Sequence, residues 1–125
     1  MEDVMDYYAR EELEEALQMI ASTINRCEKI HPRFKEGTSQ HTLLKNRIKA
    51  LYISKSFIMH EDDLSKYTKE DLIDALKPVS SIISKCEKAQ LKFKEGTSRH
   101  ASFRKMIKAM SISKSLIADE ISKRG

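Results

Sequence analysis

Two histidines and two cysteines are the side chains here best suited to proton, phosphoryl or metal chemistry, and they come in matched pairs. His41 and His100 stand 59 residues apart, and so do Cys27 and Cys86. An imidazole titrates near neutral pH and can move a proton or ligate a metal. A thiol must lose its proton before it acts as nucleophile or ligand. Bases crowd the histidines. Arg33, Lys35 and Lys45 surround His41, while Lys92, Lys94, Arg99, Arg104 and Lys105 surround His100. With the two histidines, these residues form a candidate anion-binding set.

Other chemistry meets obstacles. In a hairpin centred on Gly37, His41 falls level with Arg33 and Cys27 level with Arg47. The axial gap is about 9 Å at 1.5 Å per residue, too long for one zinc ion with bonds of about 2.0–2.3 Å. Two thiols alone make a poor metal site, and no metal or cofactor is expected. His41 followed by Lys45, and His100 by Arg104, resembles the exposed helical histidine of phosphotransfer domains. That likeness implies histidine phosphotransfer, but no glycine follows either histidine to open the helix surface. Both also sit at a helix start, so phosphotransfer stays a remote alternative to an N3 histidine with a capping role. Glu14, Glu15 and Asp74 lie in polar runs with no apolar setting to raise a carboxyl pKa. Glu36-Gly37-Thr38 has one glycine, too few for a phosphate-cradling loop. No catalytic residue is expected, and the chain reads as a non-enzyme. Tyr7, Tyr8, Tyr52 and Tyr67 do not interleave with the bases, so base stacking on single strands is unsupported.

The elements that hold these residues are written twice. Residues 11–61 align with 70–120 without a gap, and about half the positions are identical, most densely at the shared KEGTS. In the first copy Leu13, Leu17, Ile20, Ile24, Cys27 and Phe34 form one helical stripe, which Ala16 and Ile30 widen. Leu72, Leu76, Val79, Ile83, Cys86 and Phe93 repeat it. Gly37 and Gly96 fall where a helix end wants positive φ. Thr38 or Ser39, and Thr97 or Ser98, supply the next N-cap. Thr68 with Asp71 reads as a capping box. Each copy is therefore an αα-hairpin.

The second helix of each hairpin has a wider apolar arc, including Leu43, Leu44, Ile48 and Leu51 in one and Phe103, Met106, Ile107 and Met110 in the other. Ala50 with Ser54, and Ala109 with Ser113, place small residues one turn apart, where two helices can approach closely. Pro78 predicts a kink or restart in helix 3, and Pro32 falls in the last turns of helix 1. Three Gly and two Pro in 125 residues leave room for few, long elements. The expected fold is all-α: an up-down-up-down four-helix bundle of two tandem hairpins related by a pseudo-two-fold axis. One domain spans 1–125, with repeats near 9–60 and 68–122 and a polar linker near 60–67.

Charge is segregated along the chain. Residues 1–25 hold seven acids and one base, whereas 26–60 hold eight bases and two acids. The same swing recurs, from six acids and three bases in 61–84 to nine bases and two acids in 85–118. In such a bundle the bases would gather at one pole around both KEGTS turns. Acidic helix starts suit the macrodipole, but the bases opening helices 2 and 4 do not, and that excess would attract anions. An acidic N-terminus, two cysteines taken as reduced and buried, and no long apolar run point to the cytoplasm and away from membranes. The functional expectation is an interaction module binding a protein partner or its own copy. That reading expects an exposed apolar patch including Tyr7, Tyr8, Ile53 and Ile112. Nucleic-acid or other anion binding at the basic pole is the alternative.

Overall fold

The computed structural model describes residues 8–60 and 64–125. Four helices follow one another: α1 (Arg10–Ile30), α2 (Ser39–Ile58), α3 (Lys69–Gln90) and α4 (Ser98–Lys123), with a short 3₁₀ turn His31–Arg33 after α1. They pack as an all-α four-helix bundle. No helix among the described residues is long and apolar enough to cross a membrane.

Local chemistry sets the helix ends. Thr38 and Thr97 are the N-caps of α2 and α4, each accepting a hydrogen bond from the backbone N–H three residues on. Thr68 caps α3 reciprocally: its Oγ1 accepts from Asp71 N–H at 3.0 Å while Asp71 accepts from Thr68 N–H at 3.0 Å. At α1 the Glu12 carboxylate accepts from Ala9 N–H at 3.1 Å. Gly37 and Gly96 hold φ of 90° and 92°, which a side chain would resist. Pro32 closes α1 into the 3₁₀ turn, as a residue without an N–H does at a helix end. Pro78, by contrast, lies inside a continuous α3, so that helix does not restart there. The Arg124 guanidinium donates to the carbonyls of Tyr67 and Leu64, pinning the linker to the end of α4.

The helices are not equivalent in the packing. α2 and α4 each touch all three other helices, including one another across the diagonal. α1 and α3 touch only α2 and α4; among the described residues no Cα of one comes within 8 Å of a Cα of the other. This explains the two apolar patterns. A helix enclosed on three sides needs a wide arc, and one covered on two sides needs only a stripe. It also corrects the expected patch: Ile53 and Ile112 are 1% and 2% exposed, because the third neighbour covers the arc's edge. Tyr8 is half-buried against the core, and Tyr7 lies outside the described residues. Ser54 and Ser113 are fully buried, each hydroxyl donating to the carbonyl four residues back, Ala50 and Ala109, at 2.9 Å. That internal bond lets a polar residue occupy the diagonal without an unsatisfied group.

Between hairpins, Lys108 bonds Glu12 and Lys49 bonds Asp71, each at 2.9 Å. Both members of one pair lie 59 positions from the corresponding members of the other, so the α1–α4 and α2–α3 seams carry the same link. Within the hairpins the match is looser, and α3 packs along α4 more extensively than α1 along α2.

Candidate functional site: the two basic turns

The turns share one backbone scheme. Thr38 Oγ1 donates to the Lys35 carbonyl at 2.7 Å and accepts from His41 N–H at 3.3 Å. Thr97 does the same with Lys94 and His100, at 2.7 and 3.2 Å. The histidines therefore enter the caps through their main-chain N–H, and the imidazoles are left for other contacts. His41 stacks on His31, ring centroids 4.1 Å apart, with His31 Nε2 buried and unpartnered among the described residues. In the second turn Gln90 replaces His31 and donates to the His100 carbonyl at 3.3 Å. There the stacked pair is Phe93 and Phe103, with the Arg99 guanidinium over Phe93.

The buried core stops short of both turns. The last buried residues are Cys27 on α1 and Ile82 on α3, and the first are Ala50 on α2 and Met106 on α4. Ile30, Phe34 and Leu43, expected within buried stripes, are therefore exposed, and Leu91 with them. Leu43 is 57% and Leu91 87% exposed. Sequence reasoning missed their exposure because the helical spacing continues past the last buried positions of each helix.

Among the candidate bases, Arg33, Lys35, Lys45, Lys92, Lys94, Arg99 and Arg104 have no carboxylate within ion-pair distance among the described residues. Lys105 does: it lies 4.0 Å from Glu15 near the start of α1. It is thus directed at the acidic segment of the first hairpin. The turn contacts that bring candidate residues together, His41 on His31 and Arg99 on Phe93, stay within one hairpin. No hydrogen bond, ion pair or ring contact joins one turn to the other among the described residues.

The thiols lie nearer the core. Cys27 is buried, whereas Cys86 is only half-buried, contrary to the expected matched burial. Both line a cavity of about 160 Å³ together with Arg26, Arg47 and Met106. Burial pushes both thiol pKa values up, opposed by the charges of Arg26 and Arg47. Among the described residues no three His, Cys, Asp or Glu side chains converge as a metal site. A second, larger groove of about 370 Å³ runs between α2 and α3, floored by Ala50, Ile53, Ala75 and Pro78.

Comparison with protein-family models, with curated proteins and with solved structures finds no match to this chain.

Proposed function

We propose that the chain is a non-enzymatic interaction module whose turn ends dock on an acidic, partly apolar surface of a protein partner or of another copy. One observation supports this reading. Ile30, Phe34, Leu43 and Leu91 are exposed on the segments that flank the two turns, the same segments that carry Arg33, Lys35, Lys92 and Lys94, which have no ion-pair partner among the described residues. Apolar side chains supply area that a partner can cover, and the surrounding cations select its charge and speed encounter. For a second copy, the acidic first turn of α1 supplies the opposite sign. Two unpaired thiols are in keeping with a reducing, cytoplasmic setting. Nucleic-acid or other anion binding is the second reading. The seven bases without an ion-pair partner among the described residues favour it, but it leaves the exposed leucines without a role.

The test is affinity capture from native extract at low and high salt. The baits are wild type, Leu43→Asp/Leu91→Asp and Lys35→Glu/Lys94→Glu, with sedimentation to detect self-association. Protein docking is expected to be lost in both double variants while circular dichroism stays helical. Unchanged capture by the leucine variant would overturn it. Capture of nucleic acid alone, vanishing steeply with salt as released counterions require, would put the second reading in its place.

A further inference from the structure

The turns do not account for every unpaired cation. Arg26 on α1, Arg47 on α2 and Lys85 on α3 line one open depression of about 160 Å³ between the hairpins. None of the three has a carboxylate within ion-pair distance among the described residues, and no carboxylate lines the depression. Glu28, whose charge is felt at Cys27, is engaged elsewhere: the Tyr52 hydroxyl donates to it at 3.0 Å. Arg26 and Lys85 stand 59 positions apart, so both hairpins bring a cation to this place from the same point of the repeat. Arg47 adds a third where the second copy has Met106.

Two observations hold the guanidiniums at the depression. Arg26 Nη2 donates to Thr23 Oγ1 at 3.2 Å, and that hydroxyl lies 3.5 Å from Met106 Sδ; Thr23 and Met106 both line the depression. The charges of Arg26 and Arg47 each act on both thiols, Cys27 on α1 and Cys86 on α3. Both guanidiniums are therefore within electrostatic reach of the two facing helices. Burial raises the thiol pKa values above their ordinary 9.0, so at neutral pH the thiols stay protonated and cancel none of this charge. Ile82 and Met106 add buried apolar wall. Apolar wall lowers the local dielectric and strengthens the attraction of the cations for an anion.

We propose that this depression binds one small oxyanion of the phosphate class, held by Arg26 and Arg47 with Lys85 as the third cation. A guanidinium presents a planar fork that matches two phosphate oxygens, while an ammonium serves as a point charge. The volume is about five times the roughly 30 Å³ share of one water, which suits a single phosphoryl group. The bound anion ties α1 to α3, whose Cα atoms stay more than 8 Å apart among the described residues. The site shares no residue with the ten candidates at the turns, and it is independent of the docking read from them.

The test uses the full chain, with inorganic phosphate and glycerol phosphate as probes and sodium chloride at matched ionic strength as the control. Titration calorimetry is expected to give one phosphate per chain. Melting temperature is expected to climb with phosphate beyond what chloride gives, as for any ligand that binds only the folded state. Arg47→Met, which repeats the residue of the second copy, and Arg26→Gln should each weaken phosphate at least about 10-fold, the scale of a lost hydrogen bond to a charged group. Lys35→Gln/Lys94→Gln should leave phosphate binding unchanged. As a measurement independent of the variants' folding, the Arg26 and Arg47 Nε–H resonances of the wild-type chain should shift with one common midpoint. Equal binding of both probes supports a site for a phosphate ester, and binding of phosphate alone a site for the free ion. A phosphate response no greater than that of chloride would overturn the proposal. So would a response that survives Arg47→Met and disappears in Lys35→Gln/Lys94→Gln, which would assign the anion to the turns instead.

Discussion

The two hairpins reach the same turn by different means. Both wind KEGTS through a glycine near φ 90° and a threonine that donates backwards to a lysine carbonyl and accepts from a histidine N–H. Beneath that shared turn, one hairpin stacks His31 on His41 over a proline-closed 3₁₀ turn. The other uses a glutamine bond and a pair of phenylalanines. The lesson is that this turn is specified locally, by glycine and threonine, and tolerates exchange of the side chains packed beside it. What differs is how far each hairpin is closed: Leu72 on α3 is 0% exposed, while its counterpart Leu13 on α1 is only half-buried.

The largest expected effect tests that difference. Leu72→Ala should cost about 2–5 kcal/mol, the range for a truncated core leucine. Leu13→Ala should cost less than half as much. Urea unfolding measures both, and equal losses would mean that the first hairpin is as tightly closed as the second. A smaller effect tests the similarity. Gly37→Ala and Gly96→Ala meet no atom within 4 Å of the added Cβ, so only the positive φ resists them. Each should cost about 1–2 kcal/mol, and the two costs should agree; a gap between them would show that the turns are not conformational equals.

The subtlest effect concerns pH. Hydrogen bonds from Lys108 and then from Ala9 N–H hold the Glu12 carboxyl below its ordinary value of 4.5. Lys49 and then Thr68 N–H do the same for Asp71, below 3.8. A carboxyl with a lowered folded-state pKa adds stability above its unfolded value and loses it as pH falls through the folded one. Melting temperature should therefore drop as the solution is acidified below pH 4.5. Glu12→Gln and Asp71→Asn should each flatten that drop, by similar amounts. A slope unchanged in either variant would mean that its link contributes nothing.

Much of this fold is legible in the residues. Thr68 with Asp71 locates the start of α3, and Gly37 and Gly96 take the expected positive φ just before α2 and α4, although α1 and α3 end at Ile30 and Gln90, short of the C-caps expected at those glycines. These features are readable because capping and positive φ are local requirements. What a linear reading misses depends on which helix covers which. The spacing of Ile30, Phe34 and Leu43 continues the core pattern, yet all three are exposed, Leu43 at the edge of the groove between α2 and α3. Ile53 and Ile112 look marginal on a wheel but face a third neighbour. The likeness of Cys27 to Cys86 is plain, whereas Met106 stands opposite Arg47 in the repeat and carries no matching signal. Its place beside the thiols follows only from how the hairpins meet. Likewise no hydrogen bond, ion pair or ring contact joins the two turns of the expected pole among the described residues, and Lys105 is turned toward Glu15.

The paired links Lys108–Glu12 and Lys49–Asp71 carry a consequence for half of this molecule. Each hairpin contains both a lysine that reaches out and an N3 acid that receives, so its seam is self-complementary. Two copies of residues 9–60 set face to face would place Lys49 of each against Glu12 of the other, an isologous arrangement that closes on itself and leaves neither charge unanswered. In the tandem chain the two links instead join α1 to α4 and α2 to α3.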